Sequence, residues 1–290
     1  MINLIITITT FSAMVMLFKY FDKIGVNNLT AITFNYFTAG ILALFSYRIE
    51  NSIIELKSNI NLNLLTCSLI VGVLFVITFN LYAFTAQKIG ITLSTIANKM
   101  SMIIPILIGL ILFKEEVTMI KVIGIFLALG AIIFSSKEDK KSKKLSQVNM
   151  LILSLLFIGQ GLADGILNWA QKNILNSDNM NLFFTLTFLS AGLAGGLYIF
   201  YKIKTSNFKM NKKSILWGIT LGIPNYLTLL YFIKSLKNDL FSSYQVFPIV
   251  NIGVIVLCTI LSVILFKEKV SFYKWIGVGF GILAISLILF

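Results

Sequence analysis

The chain has 290 residues, 58% of them hydrophobic and 12% charged, with a mean hydropathy of +0.92. Soluble domains run at about 45–50% apolar and about 25% charged, so this composition excludes a soluble globule, a disordered chain and a coiled coil. The net charge of +13 rests on lysines dispersed between apolar runs, a pattern suited to anionic lipid headgroups and topology control and a poor footprint for nucleic acid.

An apolar run of about 20 residues crosses a bilayer as a helix. Charge-free or nearly charge-free windows predict ten such helices, over residues 2–20, 29–47, 62–86, 89–113, 118–136, 148–169, 181–201, 214–236, 240–266 and 271–290. The runs are continuous rather than alternating, which excludes a β-barrel. The first, Ile2–Phe18, has neither a basic stretch before it nor a small-residue cleavage site after it, so it reads as a membrane helix and not a signal peptide. Near the midpoint, residues 136–147 form a lysine-rich connector between two halves, 1–135 and 148–290. Cys67 and Cys258 lie inside apolar runs and read as free buried thiols. The chain has no His and no HExxH, CxxC or glycine-rich phosphate loop, so neither a metal nor a cofactor is expected, nor an enzyme activity that needs one.

The halves are copies. Leu112-Phe113-Lys114-Glu115 with Val117, Thr118, Lys121 and Gly124 recurs as Leu265-Phe266-Lys267-Glu268 with Val270, Ser271, Lys274 and Gly277, at a constant offset of 153. Thr38-Ala39-Gly40 recurs as Ser190-Ala191-Gly192 at 152, and Tyr82, Ala86, Lys88 and Ser94 as Tyr231, Ser235, Lys237 and Ser243 at 149. Each half carries five predicted helices, an odd number, so the second copy enters the membrane from the opposite side. The expected fold is therefore an all-α integral membrane protein of ten transmembrane helices in two inverted five-helix repeats. Such repeats house a substrate site near the midplane and work by alternating access, which points to a secondary transporter.

Two five-helix repeats in about 290 residues, each with a polar, proline-containing fourth helix ending in LFKEEVTMIKVIG or LFKEKVSFYKWIG, resemble the EamA branch of the drug/metabolite transporter superfamily. The resemblance covers essentially the whole chain. It implies transport of amino acids or other small metabolites, or exchange of phosphorylated or nucleotide-linked sugars. Ala97-Asn98-Lys99 is loosely similar to an Asn-Lys pair of sugar-nucleotide carriers, but there the pair belongs to the second repeat, so that substrate is not carried over. Lysines and arginines are more numerous in loops 1–2, 3–4, 5–6, 7–8 and 9–10 than in the others, which would make that side cytoplasmic and leave both termini outside. Ten-helix members of the family are usually drawn with the termini inside.

Lys99 is the sharpest single residue. It lies eleven residues from Lys88 and fifteen from Lys114, near mid-bilayer, where an ionised side chain costs about 2.5–3.5 kcal/mol on insertion scales. Its expected role is to bind a carboxylate or phosphate of the cargo; the structural alternative is an ion pair or a snorkelling lysine. Asp164 is its natural partner and a candidate proton carrier. It stands on a Gln160–Asp164–Asn168 stripe at i, i+4, i+8, one face of the sixth helix. Asn80, Asn98, Asn225 and Gln245, with Tyr82, Trp169, Tyr226, Tyr231 and Tyr244, complete the candidate substrate-binding set, joined by Asn35 and Asn251 as further polar positions; each has the alternative role of an interhelical hydrogen bond or an interfacial anchor. Pro105, Pro224 and Pro248 are candidate kinks or gates. The small-residue patterns beginning at Gly161, Gly192, Gly218 and Gly277 are expected to pack within the second repeat, leaving a monomer.

The leading expectation is a secondary active exporter of a small polar metabolite, such as an amino acid, in the bilayer of a bacterial inner membrane, with protons as a candidate coupling ion. Proton-coupled efflux of lipophilic or quaternary cations is the main alternative. An integral-membrane enzyme or a channel is the alternative from another class.

Overall fold

A computed structural model of the chain describes residues 1–50, 61–112, 118–137, 146–176, 179–206, 208–236 and 243–289. These form helices α1 Ile2–Ile24, α2 Asn28–Glu50, α3 Leu62–Lys88, α4 Ile91–Met100, α5 Ile103–Leu112, α6 Met119–Ser136, α7 Gln147–Asn173, α8 Met180–Ser206, α9 Lys212–Leu236, α10 Ser243–Phe266 and α11 Phe272–Leu289, with no strand among the described residues. Helices α4 and α5 belong to one span, so the described residues form ten spans, as predicted. Eight are long and apolar enough to cross a bilayer, and α6 and α11 contain the two shorter apolar helices. The protein is an all-α integral membrane protein. Its outward surfaces agree: Ile41, Phe45, Phe126, Leu197 and Leu216 are 60–70% exposed, an arrangement suited to hydrocarbon rather than water. Of the 136–147 connector, residues 138–145 lie outside the described set, as do Phe113–Val117 of the first LFKEEV motif.

The fourth span departs from its expected single helix over 89–113. It breaks after Met100 and resumes at Ile103. Pro105 has no N–H to offer the carbonyl four residues back, which is that of Ser101. The Ile104 N–H takes that carbonyl instead at 2.9 Å, a tighter turn that ends the first helix. Pro224, by contrast, lies inside a continuous α9.

The chain divides into two compact units that do not coincide with its halves. One comprises residues 1–20, 81–161 and 227–290, the other 21–80 and 162–226. In the second unit α2 packs on α8, its counterpart in the repeat. A Cβ on Gly40 would lie 2.8 Å from Leu189 Cδ2, and one on Gly192 would lie 2.9 Å from Phe37 Cδ1. Gly40 and Gly192 are equivalent at the offset of 152, and so are Phe37 and Leu189. Each glycine thus receives the other's equivalent neighbour, the reciprocity of a two-fold axis. As numbers rise from 33 to 40 along α2, their contacts fall from 195 to 189 along α8, so the counterparts run antiparallel.

The first unit repeats the pattern. Helices α6 and α11, the fifth span and its counterpart, pack along their length. Gly130 faces Phe280, and Gly277 faces Ala131 and Ser135, again in opposite directions. A core of Ala128, Ala131, Val278, Ala284 and Ile285 fills this contact. Helices α4 and α10, from the fourth and ninth spans, also pack together and run antiparallel. Counterparts that pack antiparallel within both units establish two inverted repeats.

The ends agree with strict alternation of ten spans. In the first unit Lys19 Nζ donates to the Gln87 carbonyl at 2.6 Å and Gln87 Nε2 to the Phe18 carbonyl at 2.7 Å, tying the ends of α1 and α3. In the second, the Asn27 N–H donates to Ser214 Oγ at 2.9 Å and Lys213 Nζ to the Ile24 carbonyl at 2.6 Å, tying the first interhelical turn to the start of α9.

The small-residue patterns pack differently from expectation. Gly192, Gly218 and Gly222 press on α2, Gly277 on α6, and Gly161 on Ile104 of α5, so each meets a helix of the first repeat rather than its own. Gly192 and Gly277 meet their counterpart helices, as the two-fold arrangement dictates, whereas Gly161, Gly218 and Gly222 meet helices of the first repeat that are not their counterparts.

Candidate functional site

Helix α4 builds the site. Its residues Ile91 to Asn98 and Met100 are buried; Lys99 alone in this helix keeps intermediate exposure. Thr92, Thr95 and Lys99 fall at i, i+3 and i+7, on one face. Thr92 Oγ1 shares a hydrogen bond with Ser262 Oγ at 3.2 Å, and Thr95 Oγ1 one with the Tyr82 hydroxyl at 2.8 Å. Cys258, one turn before Ser262 on α10, lies beside Ser12 and Thr95 and within electrostatic reach of Lys99. Four spans therefore supply this cluster: α1 with Phe11 and Ser12, α3 with Tyr82, α4 and α10. Just before Phe11, Thr10 Oγ1 accepts a hydrogen bond from Thr228 Oγ1 of α9 at 2.8 Å.

The Lys99 ammonium stands 3.8 Å from the centroid of the Phe11 ring. Phe11 in turn lies 6.5 Å from the Tyr82 ring, whose edge meets Phe18 at 5.9 Å. The ring face stabilises an ammonium by about 0.5–2 kcal/mol, offsetting part of its insertion cost. Lysine carries three N–H donors, and a carboxylate or phosphate oxygen is their strongest complement.

In the same compact unit, Asn98 is buried, and Gln160, Tyr231 and Asn251 are half-buried. Tyr231 carries Lys234 Nζ 5.3 Å over its ring. Pro105 sits six residues beyond Lys99, past the helix break. In the other unit lie Asn80, Asp164, Asn168, Trp169, Pro224, Asn225 and Tyr226. Asp164 is half-buried, and Asn168 and Trp169 are exposed. Asn80 Nδ2 donates to the Val76 carbonyl of its own helix at 2.7 Å. Asn225 Nδ2 donates to Asn35 Oδ1 at 3.1 Å, both residues buried. The side chains of Tyr244, Gln245 and Pro248 lie outside the described residues.

Phe11, Ser12, Thr92, Thr95, Cys258 and Ser262 are members of the cluster that the sequence reading does not name as site residues. The threonines carried a signal, since Thr92, Thr95 and Lys99 share a helical face, and so did Cys258 and Ser262 at i, i+4. Nothing in the spacing of α1 marks Phe11 among its apolar neighbours.

Replacing Tyr82 by Phe removes the hydroxyl bonded to Thr95 and leaves the ring contacts with Phe11 and Phe18. The loss is about 1 kcal/mol, as for a typical net hydrogen bond. Transport by Tyr82→Phe is expected to show a KM raised about threefold to fivefold at unchanged expression, read by substrate titration in proteoliposomes.

The chain matches the EamA-like transporter family over residues 1–137 and 150–290, covering both repeats. It is also similar to an uncharacterized protein of Haemophilus influenzae, 28% identical over 285 residues, which covers 98% of this chain and 96% of that protein.

Proposed function

Starting from the membership of this chain in the EamA-like transporter family, a family of membrane transporters, we propose that it is a secondary exporter of small carboxylate- or phosphate-bearing metabolites, amino acids foremost. It works by alternating access, as a monomer in a bacterial cell membrane, without a cofactor. The observation that carries this reading is Lys99. It is the single α4 residue that is not buried, and it is an ammonium held on an aromatic face inside an apolar span. Lys99 neutralises the anionic group of the cargo. Asp164 takes the proton or the substrate amine. Asn80, Asn98, Gln160, Asn168, Trp169, Asn225, Tyr226, Tyr231, Tyr244 and Gln245 set orientation through hydrogen bonds and aromatic contact. Pro105, Pro224 and Pro248 supply the bends about which helices move.

The same observation weighs against cation efflux. The Phe11 ring face that would attract a quaternary ammonium already holds the Lys99 ammonium, so an incoming cation would meet a like charge.

The test is a flux screen of purified protein in proteoliposomes, over amino acids, their methyl esters, phosphorylated sugars and quaternary cations. Saturable flux of carboxylates with rejection of the esters is expected. Saturable flux of quaternary cations without carboxylates would overturn the reading in favour of cation efflux, and a non-saturating current in favour of a channel. Asp164→Asn is expected to keep substrate exchange at equal pH and to lose accumulation driven by a pH gradient. Unchanged gradient-driven accumulation in that variant would remove the coupling role of Asp164.

A further inference from the structure

The loop after α10 carries a carboxylate to the start of α4. Lys267 ends α10 with a φ of +52°, and the N–H groups of Lys267 and Glu268 turn back onto the carbonyls of Val263 and Ser262 at 3.0 and 3.1 Å. The turn aims Glu268 at α4, where its Oε2 accepts the Ile91 N–H at 2.9 Å. Its Oε1 lies 3.7 Å from Lys274 Nζ at the start of α11, and the two side chains are only 13% and 15% exposed. The first N–H groups of a helix have no partner within it, and a carboxylate there satisfies one while complementing the helix dipole. Gly90 makes the room. Its φ of +128° is open to glycine and strained for any other residue, and a Cβ there would come within 2.5 Å of Glu268 Oε1.

We infer that Glu268 is a positioning residue for substrate recognition, clamping the start of α4 and so fixing the depth of Lys99 in the membrane. The break at Ser101 makes this matter. Helix α4 is ten residues long, and a turn at residues 101–102 separates it from α5 within the same span. Lys99 lies eight residues from Ile91, about 12 Å along the axis at 1.5 Å per residue. A rod that short passes a slip at its first turn undiminished to its last. The inference rests on the proposed role of Lys99 for its effect on transport, and on geometry alone for its effect on position.

Two readouts separate those parts. In flux assays, Glu268→Ala and Gly90→Ala are expected to raise the KM for carboxylate substrates about tenfold with maximal rate changed less than about twofold. Glu268→Gln keeps an oxygen for the Ile91 N–H and is expected to stay within about threefold of the parent KM. Independently of transport, Lys99→Cys in a chain with Cys67 and Cys258 replaced by serine reports the position of residue 99. Its labelling rate with a charged methanethiosulfonate is expected to shift at least about fivefold when Glu268→Ala or Gly90→Ala is added, and not with Glu268→Gln. Labelling that ignores all three changes, or that shifts equally for Ala and Gln at 268, overturns the clamp. Labelling that responds while the carboxylate KM does not upholds the clamp and overturns the recognition role of Lys99.

Discussion

Lys99→Ala is expected to lower the transport efficiency for carboxylate substrates by about two to three orders of magnitude. Removing one partner of a desolvated, hydrogen-bonded charge pair costs about 2–5 kcal/mol, and each 1.4 kcal/mol is a factor of ten. The loss falls on the anionic group, so a methyl ester of the same substrate should be handled equally poorly by parent and variant. Lys99→Arg keeps the charge and can stack on the Phe11 ring, but it replaces a compact ammonium by a longer fork with its donors placed elsewhere, so an intermediate loss is expected. The measurement is initial rate against concentration in proteoliposomes, with protein amount matched. Parental efficiency toward every accepted anion in Lys99→Ala would remove the proposed role. The variant should insert at least as well as the parent, because it deletes an intramembrane charge.

The second large effect concerns packing of counterpart helices. A Cβ on Gly277 would fall on Ser135 Oγ and 2.7 Å from the Ala131 carbonyl, whereas one on Gly279, two residues along the same helix, would meet nothing within 4 Å. Backbone cannot rotate away as a side chain can, so Gly277→Ala forces α6 and α11 apart. Overpacking of this kind costs about 1–3 kcal/mol, more than the roughly 0.5–1 kcal/mol that alanine gains over glycine within a helix. Gly279→Ala keeps that gain without the clash. Thermal unfolding in detergent should therefore move down by several degrees for Gly277→Ala and stay level or rise for Gly279→Ala. Equal shifts in the two variants would refute the account of the α6–α11 contact.

Hydropathy was enough to predict the spans, because lipid forces every backbone group into a helix and marks its length in apolar residues. The repeat was legible in Gly40 and Gly192, and in the two LFKE turns. The odd number of helices per repeat then implied inversion, which the antiparallel packing of α2 on α8 and of α6 on α11 bears out. The break in the fourth span was only half legible. Pro105 announces a bend, but whether a helix ends or merely curves depends on what takes the carbonyl it strands; at Ser101 the Ile104 N–H does so, while α9 runs on through Pro224. Glycine patterns revealed close approach and misled about the partner, since a spacing of four marks a face and is silent on what covers it. At the site, Lys99 was conspicuous because charge is rare in an apolar span. Phe11 was not, because one phenylalanine among 25 carries no mark until the fold sets it beneath an ammonium.

The reciprocal seat of Gly40 on Leu189 and of Gly192 on Phe37 has a genetic consequence. A polypeptide of half this length, inserted into the bilayer in both orientations, would close the same contact with its own copy as a homodimer. In such a dimer every substitution strikes the interface twice, so a large residue and the glycine facing it must change together. Joining the copies in one reading frame releases that constraint and lets each side drift alone. Phe37 and Leu189, equivalent in position and different in size, show that this divergence has begun.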